Sequence, residues 1–288
     1  MNWFNFIFIC ELYIMLTLSA NIVSGYTGLL SFSYAAFYGL GAYATAILMK
    51  SAGVSFFPAM LIAMIFNLML STVLSYFAIR MKDVFFTIGT IGVQIIVFRF
   101  FYNADDLTGG SLGLSEIPTV SIFGYALNGS RDYAILGGVL LALVIGFFAF
   151  LQTTPFIRTL SCIRDRELGA ITIGKPINYY KFVCNAIAAV VCTIAGALYA
   201  TNSSYIDPTS FTLDESILVV SMLLIGGTGN LIGPIFGAFF YTALPELIRL
   251  IPISSSQGAS LRLMLYGLIL ILVVRYRPNG VFGKFRFE

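Results

Sequence analysis

Residues 169–176, Gly-Ala-Ile-Thr-Ile-Gly-Lys-Pro, follow the glycine and lysine spacing of a nucleotide phosphate loop up to the last position. Such a loop cradles phosphates with backbone N–H groups and ends in a Ser or Thr hydroxyl on Mg²⁺. Pro176 offers neither the hydroxyl nor an N–H. The charged residues 164–167 also stand where a buried strand would have to lead in. Gly39-Leu-Gly41-Ala-Tyr-Ala44 imitates a dinucleotide fingerprint, but it lies in an apolar run, where small residues let helices approach closely. Both nucleotide readings are rejected. The chain has no histidine, which excludes histidine triads, histidine general bases and histidine metal ligands. Cys10, Cys162, Cys184 and Cys192 form no CxxC pair and read as small buried apolar residues. Glu11 is different, because an ionisable residue deep in an apolar run is a functional candidate by default. An inter-helix hydrogen bond and a place on a transport path are its two readings. Gln94, Asn67 and Asn185 are uncharged polar candidates of the same kind.

The elements that carry these residues belong in a bilayer. The chain has 288 residues, 59% hydrophobic and 10% charged, with a mean hydropathy of +0.93. Soluble domains carry about 25% charged residues, so a water-soluble enzyme is excluded. The apolar runs are continuous, whereas barrel strands alternate. The expected fold is therefore all-α, a polytopic transmembrane helical bundle of about eight to ten spans at about 20 residues each. Predicted runs cover residues 4–23, 29–49, 56–79, 84–101, 133–151, 182–201, 217–225, 232–250 and 261–276. Gly25, Gly28, Gly39 and Gly41 weaken the helix in 24–49, so a broken or re-entrant helix is one option there. No basic n-region precedes the first run, so no cleavable leader is expected.

Lys and Arg concentrate on the cytoplasmic side. Residues 152–180, the pair Arg80 and Lys82, and the tail with Arg275, Arg277, Lys284 and Arg286 are placed there. The acid-rich stretches 102–132 and 202–215, the latter with Asp207, Asp214 and Glu215, fall outside. Nine full spans would leave Met1 outside, and an even number would put it inside. The net charge of +3 is small and scattered, which argues against a nucleic-acid partner. Gly226, Gly227, Gly229 and Gly233 make a glycine-rich turn before Pro234. A tight turn with close helix crossing is one reading, and a gate or a contact to another subunit is the other. In 152–180, Leu160, Ile163 and Leu168 alternate with Arg164, Asp165, Arg166 and Glu167. That pattern predicts one or two short amphipathic surface helices, with charges of both signs suited to docking a partner protein.

Several segments in order resemble the permease subunits of bacterial branched-chain amino-acid ABC importers, most of all the M-type subunit of the leucine/isoleucine/valine system. Residues 21–43, NIVSGYTGLLSFSYAAFYGLGAY, are similar to the family's N-terminal signature. Residues 80–118 with Leu107-Thr-Gly-Gly-Ser111, then 196–199, 226–237 and Arg277-Pro-Asn-Gly280, are similar to further blocks. Glu167, Gly169, Ala170 and Gly174 stand where such permeases carry an EAA-x-x-x-G pattern. Tyr34 occupies a position where the family commonly has histidine, and Gly169 replaces an alanine. The chain also begins close to the first signature, without the extension some relatives have.

The resemblance implies a single transmembrane permease domain over 1–288, with a cytoplasmic coupling segment at 152–180 and no catalytic activity of its own. Arg164, Asp165, Arg166, Glu167, Gly169 and Gly174 would couple it to the ATPases. Glu11, Asn21, Tyr34 and Gln94 would line the path, with Gly226, Gly227, Gly229 and Gly233 as gate or turn. Implied partners are a second homologous permease, two ATP-binding-cassette subunits that hold ATP and Mg²⁺, and a periplasmic substrate-binding protein. The chain itself needs no cofactor or metal. Membrane lipid surrounds it in a bacterial inner membrane, with the C-terminus cytoplasmic. Urea, short amides or other amino acids are alternative substrates. An ion-coupled secondary transporter would use Glu11 but gives 152–180 no role.

Overall fold

A backbone in lipid must satisfy its own hydrogen bonds, so continuous apolar runs become helices. The computed structural model describes residues 3–78, 83–122, 125–127, 129–172 and 174–249. It also describes 264, 267–268, 271–272, 275–277 and 279–283. Arg80, Lys82, Lys284, Arg286 and most of the predicted span 261–276 lie outside the described residues. The chain is an all-α bundle, and the strands among the described residues are two residues long. In order come α1 (Trp3–Ala20) with a π-helical turn (Asn21–Gly25), α2 (Tyr34–Ala52), α3 (Phe56–Ala78), α4 (Asp83–Asn103) and α5 (Asp105–Thr108). Strands β1 (Leu114–Ser115), β2 (Ser121–Ile122) and β3 (Tyr125–Ala126) precede α6 (Ser130–Thr153), α7 (Pro155–Asp165), α8 (Glu167–Thr172) and α9 (Ile177–Ser203). Strand β4 (Tyr205–Ile206), a 3₁₀ turn (Pro208–Phe211), α10 (Leu213–Gly226) and α11 (Ile232–Arg249) follow.

Five helical stretches among the described residues are long and apolar enough to cross a membrane: Trp3–Gly25, Phe56–Val73, Val84–Asn103, Ser130–Thr153 and Ile177–Ser203. The first and last are mostly buried, while the other three show most of their surface outward. Helices α1, α2 and α9 thus form the centre, and α3, α4 and α6 the outward-facing shell.

Small residues set the central seam. A Cβ on Gly196 would lie 2.2 Å from the Tyr38 carbonyl oxygen and 2.7 Å from the Ala42 nitrogen. One on Gly41 would lie 2.5 Å from Thr193 Cα. The false dinucleotide fingerprint is therefore a helix-packing surface, as its setting predicts. Asn67 crosses the same seam, donating to the Phe37 carbonyl and to Thr193 Oγ1, both at 2.7 Å.

Glycine breaks only one part of residues 24–49. Gly28 has φ +78° and ends the first helix, whereas Gly39 and Gly41 stay helical within α2. Residues 28–33 turn back along α1, held where Thr87 Oγ1 donates to the Leu30 carbonyl and Thr90 Oγ1 accepts from Phe32 N.

The rings of Phe8 and Tyr133 meet at 6.2 Å, and Gln152 Nε2 donates to Tyr26 Oη at 2.9 Å. Helices α1 and α6 therefore run side by side in one direction. The start of α1 lies on the face opposite α7 and α8. On that opposite face β1 pairs antiparallel with β4, Leu114 against Ile206. Lys50 Nζ adds a bond to the Ser115 carbonyl at 2.7 Å. Residues 114–115 and 205–206 of the two acid-rich stretches thus share a face.

The stretch 202–215 is not one loop, however. Asp214 and Glu215 belong to the first turn of α10. Before them Asp207 caps the 3₁₀ turn, accepting from Ser210 N at 3.1 Å, Ser210 Oγ at 2.6 Å and Thr209 Oγ1 at 2.6 Å. Burial opposes its charge, but these hydrogen bonds outweigh burial and hold the carboxyl below its ordinary value. A depressed carboxylate stabilises at neutral pH and loses that contribution as pH falls through its folded value. The turn should thus survive mild acid and loosen only below the usual aspartate range. Asp207→Ala should cost about 1 kcal/mol. Thermal unfolding of the variant at neutral pH and in acid measures this; an unchanged melting temperature would contradict it. The turn aims Phe211 into Tyr38 and Tyr43, with ring centroids at 5.1 and 5.8 Å.

Candidate functional site

Pro155 opens α7 at a first-turn position, where its missing N–H has no partner to lose. Ile157, Leu160 and Ile163 bury one side of the helix. Arg158, Asp165, Arg166 and Glu167 are exposed. Gly174 adopts φ +75° just past α8, which explains a glycine at that position. A Cβ on Gly169 would meet nothing nearer than 3.6 Å, so alanine fits there and close packing does not explain the glycine. The helical part of 152–180 is shorter than the segment itself. Gln152 and Thr153 finish α6, and residues from Ile177 onward start α9.

Arg164 departs from the expected outward surface. It is half-buried, and its guanidinium donates to the Gly25 carbonyl in the π-helical turn of α1. Its side-chain carbons pack against Gly28. Burial lowers its pKa from the ordinary value, and Asp165 partly offsets this. Lys181 on α9, only 8% exposed, pairs with Glu167, 48% exposed. Arg164 is thus turned inward onto α1, while the exposed Glu167 ties the segment to Lys181 of α9. Asp165 and Arg166 are exposed.

The same π-helical turn reaches the glycine-rich turn. Asn21 Nδ2 donates to the Asn230 carbonyl at 2.7 Å, and its Oδ1 accepts from Gly229 N at 3.1 Å. Gly227 and Gly229 have φ of +99° and +83°. Gly226, Gly233 and Gly237 pack backbone on backbone, with a Cβ on Gly226 only 1.9 Å from the Gly233 carbonyl oxygen. The tail closes over this turn. Val281 N and Phe282 N donate to the Ile225 and Gly226 carbonyls at 3.0 Å each, and Asn230 Nδ2 donates to the Phe282 carbonyl. Arg164, Gly25, Asn21, Gly229 and the residues 279–283 therefore form one connected set on a single face. Asn21→Ala would strand a buried acceptor and a buried donor, at about 1–3 kcal/mol each. Faster hydrogen exchange at the Gly229 amide is the expected readout, and unchanged exchange would remove Asn21 from this role.

The other expected path residues do not gather at one point. Tyr34 Oη bonds Ser24 Oγ at 2.8 Å. Gln94 Nε2 donates to the Phe211 carbonyl at 2.8 Å, and its Oε1 accepts from Ser216 Oγ at 3.4 Å. Glu11 is buried on the α1–α6 seam, where Gly137 and Gly138 make room for its carboxylate. Its Oε2 has no hydrogen-bond partner among the described residues. Sequence reasoning did not pair Tyr13 with Glu215, which are joined at 3.3 Å. Residue 13 lies in the apolar run 4–23 and Glu215 reads as loop, and nothing local links the two. The four cysteines are free, and the described residues hold no metal-binding group of His, Cys, Asp and Glu.

A buried three-helix centre, an outward-facing shell and a paired amphipathic insertion on one face define a polytopic membrane helical bundle. Residues 2–274 match the family described as branched-chain amino acid transport system / permease component, and the chain belongs to that family. The high-affinity branched-chain amino acid transport system permease protein LivM of Salmonella typhimurium is 28% identical over 293 residues, covering 94% of this chain and 67% of that protein. The autoinducer 2 import system permease protein LsrC of Photorhabdus laumondii is 29% identical over 114 residues, covering 38% of this chain and 34% of that protein. PsaBC from Streptococcus pneumoniae in complex with Fab superposes with a TM-score of 0.48 at 15% identity, covering 96% of this chain and 91% of that one.

Proposed function

We propose that this chain is the membrane-spanning permease subunit of an ATP-driven importer of leucine, isoleucine and valine. It forms the translocation path with a second homologous permease. Two ATP-binding-cassette subunits dock on α7 and α8 and hold the ATP and Mg²⁺, and a periplasmic binding protein delivers substrate to the opposite face. The face of α7, α8 and the tail is then the cytoplasmic one, in a bacterial inner membrane.

The observation that carries this reading is the inward grip of the insertion. Asp165 and Arg166 are exposed to a partner while Arg164 and Glu167 hold α1 and α9. A displacement of α7 would pull on the Gly25 carbonyl, and Asn21 would pass it to the turn at 229–230. This is alternating access in which the cassettes bias a two-state bundle. Gly226, Gly227, Gly229 and Gly233 act as the hinge of that gate. An apolar path suits a branched side chain, and few polar groups suffice for a zwitterion. Selectivity then resides mainly in the binding protein.

Assembly of the reconstituted complex tests the docking surface. Arg166→Glu combined with Asp165→Arg should abolish co-purification of the cassette subunits while leaving the permease pair intact. Undiminished cassette binding would move the docking surface elsewhere.

A further inference from the structure

Two independent hydrogen bonds fix the level at which α10 begins. Tyr13 Oη donates to Glu215 Oε2 at 3.3 Å, and Tyr13 stands midway along Trp3–Gly25. Ser216 Oγ donates to Gln94 Oε1 at 3.4 Å and accepts from Ala35 N at 3.0 Å, and Gln94 stands midway along α4. From Trp3 to Tyr13 the helix descends about 15 Å, half of a hydrocarbon core about 30 Å thick.

Asp214 is exposed at this level, and Glu215 beside it is half-buried. A carboxylate at the bilayer centre is too expensive to face lipid and is retained on a bundle interior or a water-filled cavity. Asp214 points away from the described residues, so a wall from beyond them has to complete the cavity. One turn on, Ile217 is 44% exposed, and Ile95, which follows Gln94 on α4, is 47% exposed. These side chains give an apolar rim beside the acid.

We infer that the first turn of α10 lines a water-filled path, sealed from lipid by the homologous permease subunit seated on Ile217 and Ile95. This rests on the permease reading above and assigns it a surface. Water hydrates Asp214, while the apolar rim packs against the partner around it.

The test uses the full complex in membrane vesicles, with a benzophenone amino acid placed at Ile217 or at Leu143, a residue 65% exposed on α6. Ile217 should capture the homologous permease, identified by peptide mass, and Leu143 should yield lipid adducts. In a Cys162→Ser background, a water-soluble maleimide should label Asp214→Cys at least about ten-fold faster than Leu143→Cys, because the reacting thiolate needs water. Lipid adducts or another protein at Ile217, or equal labelling rates, would overturn the assignment. ATP-driven uptake by the same vesicles separates the two claims. Uptake with lipid adducts at Ile217 sinks the surface alone, and absent uptake sinks the permease reading.

Discussion

Arg164→Glu leaves the bundle folded and the cassette subunits bound, yet lowers ATP-driven uptake by about ten- to a hundred-fold. The magnitude follows from the bond it removes. A hydrogen bond from a charged donor is worth about 1.5–3 kcal/mol, and each 1.4 kcal/mol is about ten-fold. The Arg164 guanidinium meets the Gly25 carbonyl near the negative end of α1, where a cation is favoured and a carboxylate is repelled. The proposed docking charges Asp165 and Arg166 are untouched by this change. Arg164→Lys keeps the charge with a shorter reach and should recover part of the uptake. Loss of cassette binding along with uptake would make Arg164 a docking residue after all. Normal uptake would show that the grip on α1 transmits nothing.

Gly196→Val prevents accumulation of folded protein. Its Cβ would lie 2.2 Å from the Tyr38 carbonyl oxygen and 2.7 Å from the Ala42 nitrogen. Both are backbone atoms of α2, so no side chain can swing aside. The two central helices would have to separate, unseating Asn67 from Phe37 and Thr193. Overpacking costs about 1–3 kcal/mol where neighbours can adjust, and here they are rigid, so the loss is at or above about 3 kcal/mol. Gly146→Val on α6 is the control, because a Cβ there meets nothing within 4 Å. Size-exclusion profiles of the solubilised variants give the answer. A monodisperse Gly196→Val with wild-type melting would refute the tight seam.

Much of the architecture was legible because its causes are local. Continuous apolar runs dictate helices, and the charge of the connecting stretches sorts them onto two faces. Gly39, Gly41 and the block at 196–199 advertise close packing by their size alone. The alternation of Leu160 and Ile163 with charges announces the amphipathic insertion.

What was not legible depends on partners distant in sequence. Nothing near Asn21 signals a π-helical turn, which is held by Gly229 and Asn230 more than two hundred positions away. Arg164 reads as an outward charge, and only its contact with Gly25 turns it inward. Asp214 and Glu215 read as loop because only distant contacts, Tyr13 of α1 to Glu215 and Gln94 of α4 to Ser216, show that a polar helix start is held within the bundle. Glu11 fits its glycine-lined recess for the same kind of reason, since Gly137 and Gly138 come from α6.

Uptake of labelled leucine by proteoliposomes holding the permease pair, the cassette subunits and the binding protein tests the central claim most directly. Uptake should require ATP inside and the cassettes, and should be indifferent to collapse of the proton and sodium gradients. Uptake that persists without ATP and cassettes but vanishes with the ion gradient would contradict the account.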